Sequence, residues 1–174
     1  MELTPEDNLV LIGMPWSGKS TLGVLLAKAL ARPFTDTDLL IQQHAGKRLQ
    51  AIIDGEGVEA LRALEERILL GLDRKGHVIA TGGSVVYSGV AMRHLKAQGR
   101  CVYLQLPLDA LEARATNLDL RGLVRAPGQT LADLFAQRTP LYERYADMTF
   151  SCAGKSHDEV LWEIVREIGI GDGQ

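Results

Sequence analysis

Short apolar runs alternate along this chain with longer stretches in which apolar residues recur every three or four positions. Asn8-Leu9-Val10-Leu11-Ile12 has the pattern of a buried strand, closed by Gly13. Over residues 19–31, Leu22, Leu25, Leu26, Ala29 and Leu30 share one helical face. Residues 34–36 fit a second short strand. Val58, Leu61, Leu64, Ile68 and Leu72 mark one face of a long helix that stops near Gly76. Residues 77–81 predict a third strand closed by Gly82-Gly83, residues 90–98 a helix, and residues 101–106 a fourth strand. Pro107 opens another helix, and residues 148–151 predict a fifth strand. Val160, Leu161, Ile164, Val165 and Ile168 give a closing amphipathic helix.

Strands alternating with helices imply βαβ units, hence an α/β fold with a mostly parallel sheet covered on both faces. Such sheets bind ligands outside the carboxyl ends of their strands. That directs attention to residues 13–21, 36–38, 82–84 and the segment after Leu106. Residues 116–128, with Asn117, Gly122, Pro127 and Gly128 among arginines, read as a mobile flap, and residues 169–174 as a frayed tail.

Composition narrows the function classes. A chain of 174 residues, 46% hydrophobic and 24% charged, has the size and balance of one globular domain. A net charge of −3 disfavours a nucleic-acid coat, and 5% aromatic content disfavours a stacking platform for single strands. No apolar run approaches the roughly 20 residues needed to span a membrane. The acidic start MELTPEDN does not read as a signal peptide. A cytoplasmic protein is therefore expected, with Cys101 and Cys152 as reduced, buried thiols. The four histidines show no metal-ligand spacing.

The strongest chemical signal is Gly13-Met14-Pro15-Trp16-Ser17-Gly18-Lys19-Ser20, which fits G-x-x-x-x-G-K-[ST] between a strand and a helix. Its glycines let successive backbone N–H groups face phosphate oxygens, and the following helix adds its positive end. Lys19 reaches the β- and γ-phosphates, and the Ser20 hydroxyl ligates Mg²⁺. Trp16 stands out: its indole is expected outside the phosphate nest, either covering the nucleotide or, as the plainer role, packed on a neighbouring helix. No guanine-reading N/T-K-x-D motif is present.

In Phe34-Thr35-Asp36-Thr37-Asp38, two carboxylates lie two residues apart at a strand end and project to one side if the chain is extended. One can hold a metal's water shell while the other orients an acceptor hydroxyl. The plainer role is capping a helix that starts at Leu39. Arg62 and Glu65, at i and i+3, could be an ordinary solvated pair, and Arg138 one more surface charge.

The order of these pieces resembles the shikimate kinase family over nearly the whole chain. They are Gly13-xxxx-Gly18-Lys19-Ser20-Thr21, Phe34-x-Asp36-x-Asp38, Gly55-Glu56 with Arg62-xx-Glu65, Gly82-Gly83, and Arg138-xx-Leu141-Tyr142. The resemblance implies a three-layer sandwich with a five-stranded parallel sheet, of the P-loop nucleoside-monophosphate-kinase type. It implies one kinase domain over 1–174, with an acceptor-binding insert near 39–66 and a lid near 114–128. The reaction implied is transfer of the ATP γ-phosphoryl group to the 3-hydroxyl of shikimate, with Mg²⁺. Lys19, Asp38 and Arg121 would be catalytic. Gly13, Trp16, Ser17, Gly18, Lys19, Ser20, Thr21, Arg114, Arg121 and Lys155 would surround the nucleotide. Asp38, Arg62, Gly82, Gly83, Ser84 and Arg138 would bind the acceptor, the two arginines gripping its carboxylate. Ser20 and Asp36 would serve the metal. A cationic pocket of Lys19, Arg62, Arg121 and Arg138 follows, with the acidic residues mostly elsewhere. Partners would be ATP and a small acid, with no nucleic acid or membrane, and the chain would be a monomer.

Four positions depart from the family pattern: Trp16 and Ser84 replace glycines, Leu61 replaces phenylalanine, and Gly122 replaces proline in the lid. Leu61 and Ser84 would line or support the acceptor pocket, so another small hydroxylated carboxylate such as homoserine is the alternative acceptor. A catalytically inactive ATP-binding module and a nucleoside-monophosphate kinase are further alternatives. Retention of Asp36, Asp38, Arg62, Arg121 and Arg138 argues against the inactive module.

Overall fold

The computed structural model describes residues 3–115, 123, 125 and 128–169. Five strands, β1 (Asn8–Ile12), β2 (Phe34–Asp36), β3 (Val78–Ala80), β4 (Gly99–Gln105) and β5 (Met148–Ser151), form one sheet in the order β2-β3-β1-β4-β5. Every pairing is parallel, with Leu9 opposite Val78 on one side of β1 and Arg100 on the other. All five residues of β1 are buried, as a central parallel strand covered on both faces requires. Eight helices connect the strands among the described residues: α1 (Lys19–Ala29), α2 (Thr37–Ala45), α3 (Leu49–Glu56), α4 (Val58–Leu70), α5 (Gly89–Ala97), α6 (Leu108–Ala115), α7 (Leu131–Tyr145) and α8 (His157–Glu167).

Three strands match the sequence pattern to the residue, and α1, α5 and α8 agree to within a few positions. The long helix expected to run toward Gly76 ends at Leu70, with Gly71 as its cap, although Leu72 remains in the core. α2 starts at Thr37, two residues before the expected Leu39, because Asp36 supplies the cap. α3, a 3-10 turn over Val85–Tyr87 and α7 carry no clear helical period in the sequence. α3 is only eight residues long, and α7 contains Pro140, which removes a backbone donor. α7 and α8 each begin with a complete capping box, Thr130 with Asp133 and Ser156 with Glu159.

Two cores result. The main one fills both faces of the sheet. A small one consists of Ile41, Ile52 and Leu61, one each from α2, α3 and α4. Gly46 and Gly57, both at positive φ, joint these three helices. β1 and β4 are neighbours whose onward connections run to opposite sides, so the crevice at their carboxyl ends is the natural ligand position. The flap over 116–128 and the tail over 169–174 fall almost wholly outside the described residues.

Candidate active site

The loop after β1 is shaped by close contact. Gly13 has φ of 148°, and a Cβ there would lie 2.8 Å from the Leu104 carbonyl oxygen of β4. Gly18 caps α1 at φ of 96°. Between them Trp16 adopts φ of 63°, a left-handed conformation that strains a non-glycine residue by about 1–2 kcal/mol. A glycine would avoid that strain. Trp16 is held by its carbonyl, which accepts from Arg114 Nη1 at 2.8 Å, and by its indole, which packs against the main core.

Lys19 is buried, and its Nζ donates to the carbonyls of Gly13 (2.9 Å) and Met14 (2.7 Å). An ammonium has three donors, so one remains for a phosphate oxygen. Burial pulls the Lys19 pKa down to about 8, against the opposing effect of nearby Asp38. The Ser17 hydroxyl is buried in the same loop without a partner among the described residues. A phosphate oxygen would satisfy it, so the loop fits a nucleotide.

Asp36 combines both roles weighed for it. Its Oδ1 accepts from the backbone N–H of Asp38 (3.0 Å) and Leu39 (3.4 Å), capping α2, while its Oδ2 accepts from Ser20 Oγ at 2.7 Å. Asp38 therefore stands in the first turn of a helix, not in extended chain. The Ser20 hydroxyl and Asp36 carboxylate are the hard oxygen donors Mg²⁺ prefers. Among the described residues no group of three or more His, Cys, Asp or Glu could cage a metal. The pair suits an ion shared with phosphates.

Asp38 and Glu65 meet above Gly82. A Cβ at that glycine would lie 2.6 Å from Glu65 Oε1 and 2.9 Å from Asp38 Oδ1. A Cβ at Gly83 would lie 2.9 Å from Pro15 and 3.1 Å from Arg138 Nη1. The two glycines thus let four segments converge. Burial raises the Asp38 pKa, with Asp36 adding to the rise and Lys19 opposing it. Burial also lifts Glu65 to about 7, moderated by a 2.7 Å bond from the Ser84 hydroxyl. Arg138, only 1% exposed, donates from Nε to the Tyr87 hydroxyl at 3.3 Å. Tyr142, one helical turn further on, donates to the Gly83 carbonyl at 2.6 Å and stacks on Tyr103 of β4.

Several of these groups, though not Tyr87 or Tyr142, wall one cleft of about 270 Å³. Of the residues singled out in the sequence, it collects Trp16, Gly18, Lys19, Ser20, Thr21, Asp38, Leu61, Glu65, Gly82, Gly83, Ser84 and Arg138. Arg62 is not on its wall. It pairs with Glu59 at 2.8 Å and faces a separate cavity of about 370 Å³ with Tyr87 and Glu66. Arg114 reaches the nucleotide side, since a Cβ at Gly18 would lie 3.9 Å from its Nη1. Lys155 pairs with Glu163 at 2.7 Å. Arg121 and Gly122 lie outside the described residues. Among the described residues lining the cleft, the cations Lys19 and Arg138 stand with two acids, Asp38 and Glu65.

Three neighbours of the site were given no role in it from the sequence, where Glu65 figures only as the i+3 partner of Arg62. Glu65 had a signal: Leu61, Glu65 and Leu69 are the buried residues of α4, so an acid occupies a core position of an apolar face. Tyr87 had none, lying in an irregular turn. His157 begins α8, and its Nε2 would stand 3.1 Å from a Cβ at Gly18.

Comparison with known proteins points to one family. The family model described as shikimate kinase matches residues 15–169. A shikimate kinase of Pasteurella multocida is 39% identical over 167 residues, covering 94% of this chain and 95% of the relative. One from Alteromonas mediterranea is 37% identical, covering 97% of this chain and all of the relative. Among solved structures, shikimate kinase from Acinetobacter baumannii in complex with shikimate superposes with a TM-score of 0.87 at 30% identity, covering 97% of this chain and 96% of that one.

Proposed function

This chain belongs to the shikimate kinase family, and on that premise we propose that it transfers the γ-phosphoryl group of ATP to the 3-hydroxyl of shikimate. The observation that carries this function is that one cleft is lined together by the phosphate loop, Asp38 and Arg138. The acceptor oxygen forms a bond to the γ-phosphorus, the bond to the β,γ-bridging oxygen breaks, and ADP leaves. Such transfer depends mainly on positioning and charge neutralisation. Backbone N–H groups of the loop, the Ser17 hydroxyl and the Lys19 ammonium hold the phosphates. Asp38 accepts the hydrogen bond of the acceptor hydroxyl, orients it, and receives its proton as the bond to phosphorus forms. Arg138 holds the acceptor carboxylate, Gly83 lets it approach, and Arg62 and Arg121 complete the charge. Ser20 and Asp36 would hold Mg²⁺, which when bound neutralises the β- and γ-phosphate charge.

Two departures from the family pattern bear on the acceptor. The Ser84 hydroxyl is committed to Glu65 inside the wall, so it offers no new donor to a different acceptor. Leu61, 2% exposed, belongs to the small core and also lines the cleft. The similarity to shikimate kinases favours shikimate over homoserine. Further elements of the proposal are an acceptor insert near 39–66, a lid near 114–128, and a monomer acting in the cytoplasm without nucleic acid or membrane. No helix among the described residues is long and apolar enough to cross a membrane. ADP release with ATP, Mg²⁺ and a panel of hydroxy acids tests the activity. Turnover with shikimate is expected, and turnover with homoserine alone would overturn the substrate assignment.

A further inference from the structure

Both arginines assigned to the acceptor carboxylate meet one aromatic ring. The Arg62 guanidinium carbon lies 4.5 Å from the centroid of Tyr87 and that of Arg138 lies 5.3 Å from it. The Tyr87 hydroxyl also accepts from Arg138 Nε and donates to Gln137. Tyr87 is half-buried in the 3-10 turn that follows Gly82-Gly83-Ser84, so the turn that floors the cleft also carries the ring. We infer that Tyr87 is a positioning residue for the acceptor carboxylate, a platform that keeps two guanidiniums close together at the edge of the cleft.

The physical case is direct. Two like charges near one another repel, and partial burial removes the water that would screen them. The negative face of an aromatic ring offsets this without consuming guanidinium donors. Arg62 Nε illustrates the point: it is buried, without a hydrogen-bond partner among the described residues, over the Tyr87 ring. An unmatched buried donor beside a cation is suited to an incoming carboxylate oxygen. Glu59 is largely exposed, so its pair with Arg62 is a weak competitor that the acceptor can displace. The inference rests on the shikimate kinase assignment, because only a carboxylate-bearing acceptor needs this grip.

The test compares Tyr87→Phe, which keeps the ring, with Tyr87→Leu, which keeps apolar bulk but removes it. For Tyr87→Leu the KM for shikimate should rise about tenfold, with the KM for ATP and kcat within about twofold. Calorimetric shikimate affinity should fall in step. Tyr87→Phe should stay near wild type. In a double-mutant cycle, Tyr87→Leu should matter less once Arg62 is alanine. An unchanged shikimate KM in Tyr87→Leu, a parallel rise in both KM values, or strict additivity with Arg62→Ala would overturn the inference. If the wild-type protein neither binds nor turns over shikimate, the family assignment of the acceptor fails first, and the role of Tyr87 fails with it.

Discussion

The phosphate end and the acceptor end of the cleft are built differently. The phosphate end is one continuous segment, residues 13–20, hung between the wholly buried β1 and the head of α1. Its ligand groups are mostly backbone N–H, and it rests on the main core. The acceptor end gathers side chains from α2, α4, the Gly82-Gly83-Ser84 turn and α7, and its insert rests on a core of three residues. A backbone site tolerates little change in conformation but much in side chain, as Trp16 shows. A side-chain site has the opposite sensitivity, since its chemistry is set by which side chains the separate elements bring together.

Substitutions should separate the two ends. The largest effect belongs to Lys19→Ala, expected to lower kcat about 10³-fold by removing a charge aimed at the transferring phosphates; stopped assays of ADP release measure it. Arg138→Ala comes next. It should raise the shikimate KM about 10–100-fold and leave the ATP KM nearly unchanged. Equal rises in both would erase the division between the ends.

Glu65→Gln should act through pH. The native carboxyl titrates near 7, above its ordinary 4.5, so between those values the native state holds a proton the unfolded chain has released. Stability contributed by the neutral form is therefore lost as pH rises through that window. The amide removes this dependence, so denaturant melts should show the variant gaining about 2 kcal/mol over wild type at pH 8 relative to pH 5. The smallest effect is Ile52→Val, about 1 kcal/mol of stability. It should raise the KM for shikimate and leave that for ATP unchanged, because Ile52 supports only the insert.

The same division governs what could be read from the sequence. Strand β1, the glycine-rich loop and α1 are local, with period and motif written in consecutive residues. Strands β1, β3 and β4 were equally plain because buried parallel strands are apolar runs bounded by glycine or proline, whereas β2 and β5 are short and only partly buried. The acceptor end was legible only as scattered fragments. Asp38 was expected on an extended strand end, yet Asp36 turns the chain into α2 one residue before it. Arg62 was expected on the cleft wall, yet its neighbours in space, Glu59 and Tyr87, draw it to the next cavity. No spacing rule links residues 62, 87 and 138; only the packing of α4, the turn and α7 brings them together.

Trp16 has a practical consequence. It is half-buried at the cleft, within the phosphate loop, while the other tryptophan of the chain, Trp162, is 58% exposed on α8. In a Trp162→Phe protein all tryptophan emission would come from the loop. The molecule would then report occupancy of its own cleft as a change in ultraviolet fluorescence, with no dye and no coupling enzyme.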